Sequence, residues 1–169
     1  MIELSTLQAV REIVTIVGVI AGLSYYIMTV RNQNKARQAQ LFMQLYQQFT
    51  DRDWLRQQQE INFIFEYDSF EEFMEKYGPY TNMEGFITWM SRANFYDGLG
   101  MLVKRGLIEA AMVDDMISGP IIFIWEKRVE PIVKEFTEYW NNPAAFEWVE
   151  YLYHQIKPIR DRQHPELKT

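Results

Sequence analysis

Histidine and carboxylate side chains are the first candidates for chemistry in this sequence, because cysteine is absent. Without cysteine the chain forms no disulfide, thiolate nucleophile or iron–sulfur cluster. The only histidines are His154 and His164, so a three-histidine metal site cannot be assembled, and we predict no catalytic triad. Glu147 and Glu150 accompany His154, but a di-iron bundle needs a Glu-x-x-His pair on each of two helices. We therefore predict no catalytic residue, no metal site and no cofactor.

The other acidic and glycine motifs also lack a reactive partner. FEEFMEKYG at 70–78 and the pair Asp114 and Asp115 offer carboxylates, which we interpret as solubilising charges and as complements of helix N-termini. GLG at 98–100 lies inside a predicted helix with no strand before it, so it is not a phosphate-binding loop. An enzyme is the class with the least support.

Composition limits the class of protein further. A chain of 169 residues has room for one domain with a sizeable core. It carries 17 basic and 23 acidic residues, for a net charge of -6, and its basic residues form no long run. Nucleic-acid binding is therefore not expected.

The elements that would position a site begin with an apolar span. Residues 13–30 carry no charge, and a helix of that length reaches about 27 Å, close to the ~30 Å hydrocarbon thickness of a bilayer. A cleavable signal peptide would have a basic start and a small-residue end, whereas Arg11 is followed by Glu12 and the span ends near Tyr25 and Tyr26. We predict an N-terminal tail and uncleaved transmembrane anchor over 1–30. The alternative is a soluble protein that buries this segment as a central helix.

Basic residues after the span predict its orientation. Arg31, Lys35 and Arg37 follow the apolar residues directly, whereas the N-terminal side offers Arg11 beside acidic neighbours. Cytoplasmic flanks of membrane helices are enriched in Lys and Arg. We therefore expect a single-pass protein of the cell membrane, in contact with the lipid bilayer, with its N-terminus outside and its C-terminal domain in the cytoplasm.

Small residues within the span form a pattern typical of helix packing. Gly18 and Gly22 make a GxxxG motif, with Ala21 beside it. Glycine lets two helix backbones approach closely in lipid, although glycine is also common in membrane helices in general. These residues are our candidates for contact with a membrane protein complex or with a second copy of the chain.

After the span, apolar residues recur at helical spacing throughout, and no strand pattern occurs. We predict an all-α fold: the transmembrane helix continues into an amphipathic stalk over 31–50, a cytoplasmic helical bundle follows over 51–158, and a polar tail covers 159–169. The best-defined helix spans about 83–104 and ends at Gly106, which suits a left-handed cap. Pro131 predicts a kink or a restart, and Asn142 with Pro143 is expected to open the last helix, which ends at Pro158.

Two charges interrupt apolar rows of predicted core helices. Arg92 lies in the row of Phe95 and Leu99, and Glu126 lies in the row of Ile122 and Val129. Burying either charge alone is costly, so we predict a buried ion pair between Arg92 and Glu126. The alternative is that the arginine side chain extends to water.

Several segments together resemble one known family. One N-terminal span, a glutamine-rich stalk, RANFYDGLGMLVKRGLI, IWEKRVEPIV and FEWVEYLY follow one another in this order. The chain resembles over nearly its whole length the DUF4760 family of uncharacterised membrane-anchored prokaryotic proteins. The resemblance implies a fold and a topology, but it implies no reaction and no ligand.

Two function classes stay open. We favour a non-enzymatic accessory or scaffold subunit of a larger membrane complex, because that role needs no reactive residue. The alternative is a membrane-anchored sensor or regulator that binds a ligand between helices, which a polar pocket near Arg92 would favour. Aromatic residues make up 15% of the chain and fill either a bundle core or a docking surface.

Overall fold

The structure is a computed structural model that describes the backbone of residues 2–167 and the side chains of residues 7–166. Its described part is helical and contains no strand, which confirms the predicted all-α fold. Seven α-helices lie in that part of the chain: α1 Ile2–Phe49, α2 Arg52–Phe63, α3 Phe70–Tyr77, α4 Met83–Lys104, α5 Ala110–Ile124, α6 Val133–Tyr139 and α7 Glu147–Gln163. The chain divides into two compact units, with the boundary between Met43 and Gln44.

Helix α1 contains the apolar span. From Leu7 onward it is long and apolar enough to cross a membrane, its most apolar window having a mean hydropathy of 2.0. No residue of that window is buried. A long apolar helix near the N-terminus is typical of a membrane span or of a signal sequence. The outermost residues of the predicted segments 1–30 and 159–169 lie outside the described part.

Local sequence signals set the ends of three helices in the second unit. Asp51 caps α2 by accepting hydrogen bonds from the backbone N–H groups of Asp53 and Trp54, and Ser69 caps α3 in the same way. Gly106 follows α4 with φ +67°, a left-handed conformation that glycine adopts at little cost. The predicted bounds of α4 and its glycine stop are therefore confirmed.

Helix α4 lies at the centre of the second unit and packs mainly against α7, which also packs against α5. Ridges of large apolar side chains fill the space between these helices, as expected where most of a helix surface is apolar. The fully buried side chains include Trp89, Tyr96, Leu99, Ile117, Ile121, Ile124, Leu152 and Ile156. Trp89 and Trp125 thus belong to the core, whereas Trp140 is 39% exposed.

The segment between α5 and α6 departs twice from regular α-helix. Ile117 has non-helical backbone angles inside α5, three residues before Pro120. Residues 125–129 form a π-helical turn, and α6 restarts two residues after Pro131. The proline cannot donate a backbone hydrogen bond, so the predicted restart is confirmed, but the π-helical turn before it was not predicted.

The bounds of α7 differ from the prediction at both ends. The helix begins at Glu147 rather than at Asn142, because Phe146 adopts φ +66°. It then continues through Pro158 to Gln163. Proline in a helix costs about 3 kcal/mol, and the complete burial of Ile156 just before it helps to offset that cost. The expectation that the last helix ends at Pro158 is therefore wrong.

Candidate ligand-binding groove at Arg92

An open groove with a volume of about 710 Å³ lies in the second unit. Three segments form it: the end of α1 after residue 43, the start of α2 with its cap, and the middle of α4. Its walls are mostly polar. The lining residues are Gln44, Gln47, Gln48, Asp51, Asp53, Trp54, Gln57, Ser91 and Arg92.

Helical spacing explains why the glutamines share one groove. Gln44, Gln47 and Gln48 stand at positions i, i+3 and i+4 of α1, which places them on one face of the helix. The cap at Asp51 starts α2 directly after the turn. The four glutamine amides that line the groove, with Gln57 as the fourth, offer both donors and acceptors without charge.

Arg92 is a buried cation in this lining. Its side chain comes from α4, and the residue is only 5% exposed. The guanidinium carbon lies 4.7 Å from the centre of the Trp54 ring and 5.8 Å from that of Phe95. Nη2 donates a long hydrogen bond of 3.3 Å to Ser91 Oγ, whereas Nε and Nη1 are buried without an acceptor. Burial lowers the pKa of the guanidinium from its ordinary value.

Trp54 provides a second unpaired donor beside this cation. It is 4% exposed, and its ring contacts Phe49 at 4.2 Å and Phe95 at 5.6 Å between ring centres. Its Nε1 is buried and has no hydrogen-bond acceptor. A buried indole N–H usually finds a partner. Trp54 and Arg92 are therefore two neighbouring side chains whose buried donors lack acceptors.

A buried hydrogen-bond network on the same helices does not supply those acceptors. Tyr96 donates to Gln58 Oε1 at 2.8 Å, and Gln58 Nε2 donates to Asn62 Oδ1 at 2.9 Å. Both ends of the Gln58 amide are therefore occupied. Burial raises the pKa of Tyr96 well above its ordinary value, so this hydroxyl stays protonated and serves as a structural donor.

The predicted ion pair between Arg92 and Glu126 is wrong, although Arg92 is buried as predicted. Glu126 Oε1 instead accepts hydrogen bonds of 2.8 Å from Lys157 Nζ and from the Tyr153 hydroxyl. The hydrogen bond from Lys157 lowers the pKa of Glu126. Lys157 and Tyr153 stand four residues apart on α7, so both reach one carboxylate.

The residues predicted to act in the membrane all lie on α1. A side chain added at Gly18 or Gly22 would meet no other atom within 4 Å, and Ala21 is exposed. The basic residues Arg31, Lys35 and Arg37 are also exposed.

The carboxylate and histidine pair that first suggested chemistry is exposed on α7. His154 Nε2 lies 3.9 Å from Glu150 Oε1, with both side chains more than half exposed. Within residues 7–166, no group of three or more carboxylate or imidazole side chains is placed to hold a metal ion.

The sequence predicted the burial of Arg92 but not the groove around it. The signal that could have revealed the groove is the clustering of glutamines on both sides of the Asp51 cap, in QLYQQF and RQQQ. Gln57 of the second run lines the same groove as the first run because the chain turns between α1 and α2. The unpaired Nε1 of Trp54 could not be predicted from the sequence, because most tryptophans of this chain belong to its core and nothing in the sequence distinguishes Trp54 from them.

These features first define a class: an all-α protein with one long apolar N-terminal helix and a helical domain that carries a polar groove. The chain belongs to the family described as Domain of unknown function (DUF4760), whose model matches residues 13–156. The resemblance based on sequence segments is thus confirmed. No curated protein and no solved structure matches the sequence.

Proposed function

We propose that this protein is a single-pass membrane protein whose helical domain binds a small molecule in the Arg92 groove and acts as a sensor or regulator without catalysis. The observation that carries the proposal is that Arg92 and Trp54, two residues that line the groove, each bury donor atoms without an acceptor. Proteins rarely bury polar groups without partners. A ligand that accepts hydrogen bonds there would complete the site.

The apolar span and its flank support the membrane part of the proposal. The exposed apolar window of α1 is followed by Arg31, Lys35 and Arg37, which favours a cytoplasmic location for the groove. The groove has no nucleophile with an adjacent base, which favours binding rather than turnover.

Amide hydrogen exchange of the full chain in nanodiscs tests the proposal without assuming a ligand class. The small-molecule fraction of a cell extract should slow exchange in α2, because a ligand in the groove contacts residues at the start of that helix. The protection should be lost in Arg92→Met. It should persist in Arg56→Met, which removes an exposed arginine of α2 that does not line the groove.

Two outcomes would contradict this function. One is an exchange pattern of the wild type that the extract leaves unchanged. The other is equal protection in wild type and Arg92→Met, because the bound molecule would then lie elsewhere.

A second function, that of an accessory or scaffold subunit, is favoured by the open glycine face of α1. Helices gain no hydrophobic drive from associating within lipid, so close packing at Gly18 and Gly22 is useful chiefly when another helix contacts them. A membrane partner bound there would also hold the helical domain close to the same complex, which raises the effective concentration of any second contact.

Native gels of detergent extracts test this second function. Replacing Gly18 and Gly22 by isoleucine should release the protein from any larger complex, because isoleucine keeps the helix apolar but blocks backbone approach. The matched control replaces Ile16 and Ile20, on the opposite face, by leucine. If the glycine variant migrates like the wild type, the glycine face is not a contact surface.

A further inference from the structure

The two buried arginines of the described chain differ in how their hydrogen bonds are satisfied. Arg128 is 9% exposed and donates from Nε, Nη1 and Nη2 to three backbone carbonyl groups. Two of those carbonyls belong to Ile61 and Asn62, near the end of α2, where a cation suits the helix dipole. Arg128 is therefore a structural residue, whereas Arg92 has the same kind of burial but only one long hydrogen bond.

Two acceptors near Trp54 along the chain are already in use. Asp51 Oδ1 accepts two backbone N–H groups as the cap of α2. Gln58 is held by Tyr96 and Asn62. An acceptor from outside the chain would therefore satisfy the unpaired donors without breaking any of these hydrogen bonds.

The charges of the groove restrict what such a ligand can be. A guanidinium forms its strongest hydrogen bonds with carboxylates and phosphates. Arg92 is the one cation among the lining residues, and the lining also contains the two carboxylates of Asp51 and Asp53. The lining therefore carries one more negative than positive charge, so a dianion would be repelled more strongly than a ligand with a single negative charge, which Arg92 can pair with directly.

We propose that the groove binds a small organic monocarboxylate, whose carboxylate oxygens accept hydrogen bonds from Arg92 and Trp54. The glutamine amides then contact the rest of the ligand, and the groove volume of about 710 Å³ lies within the range of small-molecule sites. This inference rests on the proposed ligand-binding function and adds the chemical class of the ligand.

Equilibrium dialysis with three radiolabelled probes of matched shape tests the inference on the full chain in nanodiscs. Benzoate carries one negative charge, benzamide carries none, and phenyl phosphate carries close to two. Benzoate should bind more tightly than either other probe. Arg92→Met should raise the Kd of benzoate by at least about tenfold, because charged hydrogen bonds are lost. Trp54→Phe should raise this Kd by a smaller factor. Arg56→Met should leave the Kd unchanged, and empty nanodiscs correct for uptake by lipid.

Each result distinguishes the ligand class from the binding function. If phenyl phosphate binds more tightly than benzoate, or benzamide binds equally well, the carboxylate assignment is wrong. The groove would still be a ligand-binding site. Absence of binding by all three probes would also overturn the carboxylate assignment, and the hydrogen-exchange experiment with cell extract then decides separately whether the groove binds any ligand. If Arg92→Met fails to give the wild-type circular dichroism spectrum, Trp54→Phe provides the decisive comparison.

Discussion

At the scale of single residues, the energetics of Arg92 support the proposed binding site. Cation–π contacts such as those with Trp54 and Phe95 contribute about 0.5–2 kcal/mol. Each buried donor without a partner costs about 1–3 kcal/mol, and Arg92 has two such nitrogen atoms. The two unpaired nitrogen atoms therefore offset much of what the cation–π contacts contribute, and a bound acceptor would reduce that cost.

The ion pair of Glu126 and Lys157 gives a pH-dependent contribution to stability. The two side chains are 33% and 39% exposed. Solvent screening therefore limits the contribution of the pair to the free energy of unfolding to about 0.5–1 kcal/mol. Because the hydrogen bond from Lys157 lowers the pKa of Glu126, the contribution is present above the ordinary pKa of the carboxylate. It is lost as the pH falls through the lowered pKa.

We predict that Lys157→Met lowers the free energy of unfolding by about 0.5–1 kcal/mol at neutral pH. The difference from the wild type should shrink as the pH falls below about 4, where glutamate side chains become protonated. Urea titrations of both proteins across this pH range measure the effect, with Lys134→Met as an exposed control. A difference that stays constant into acid would show that Lys157 acts through packing rather than charge.

The sequence predicted the burial of Arg92 but not the partner of Glu126, for a physical reason. A charge in an apolar row shows that a side chain faces the core, yet the row says nothing about how two helices are aligned along their axes. That alignment here depends on α7, which brings Lys157 and Tyr153 to Glu126. Packing between helices determines which side chains meet, and helical spacing within one segment does not predict that packing.

At the scale of elements, the contact between α4 and α7 depends on one glycine. A side-chain carbon placed at Gly100 would collide with the backbone carbonyl of Trp148 and lie 3.2 Å from Cβ of Leu152. Close by, Asp97 Oδ1 accepts hydrogen bonds from the N–H groups of Trp148 and Val149. Helix α4 thus both caps the N-terminus of α7 and lies against its backbone.

We predict opposite effects of alanine at two glycines of α4. Gly100→Ala should destabilise the protein by about 1–3 kcal/mol, because the added methyl group forces the two helices apart. Gly98→Ala should stabilise it by about 0.5–1 kcal/mol, because that position has no atom within 4 Å and alanine favours the helix. Thermal unfolding of both variants measures the difference. Equal effects at the two positions would mean that α4 and α7 do not approach closely at Gly100.

Helix ends set by local chemistry were predictable, and those set by packing were not. The caps at Asp51 and Ser69 and the glycine after α4 depend on neighbouring backbone groups, so residue type and spacing suffice. The start of α7 depends instead on Asp97, which is distant in sequence and supplies the cap. The π-helical turn at 125–129 has no comparable signal.

At the scale of the whole molecule, the two proposed functions depend on different units of the chain. Ligand binding depends on residues from 44 onward, whereas association with a membrane partner depends on the glycine face within residues 1–43. Variants of one unit should therefore leave the other property intact. The Gly18 and Gly22 double variant should still bind benzoate, and Arg92→Met should still migrate with any membrane partner.

The last prediction concerns the membrane topology of the chain. The absence of cysteine allows single cysteines to be introduced without background, and Gln8 and Gln163 are exposed positions on either side of the apolar span. Because the basic residues that follow the span favour the cytoplasm, an impermeant maleimide should label Gln8→Cys in intact cells and Gln163→Cys only after lysis.

Two labelling results would contradict this topology. The reverse pattern would place the groove outside the cell, so that its ligand would come from the surroundings. Recovery of unlabelled protein in the soluble fraction, shortened at its N-terminus, would identify the apolar helix as a cleaved signal sequence. In that case the glycine face would be removed from the mature protein, and the accessory-subunit function would be wrong. The Arg92 groove would remain, because each of its lining residues lies after the span.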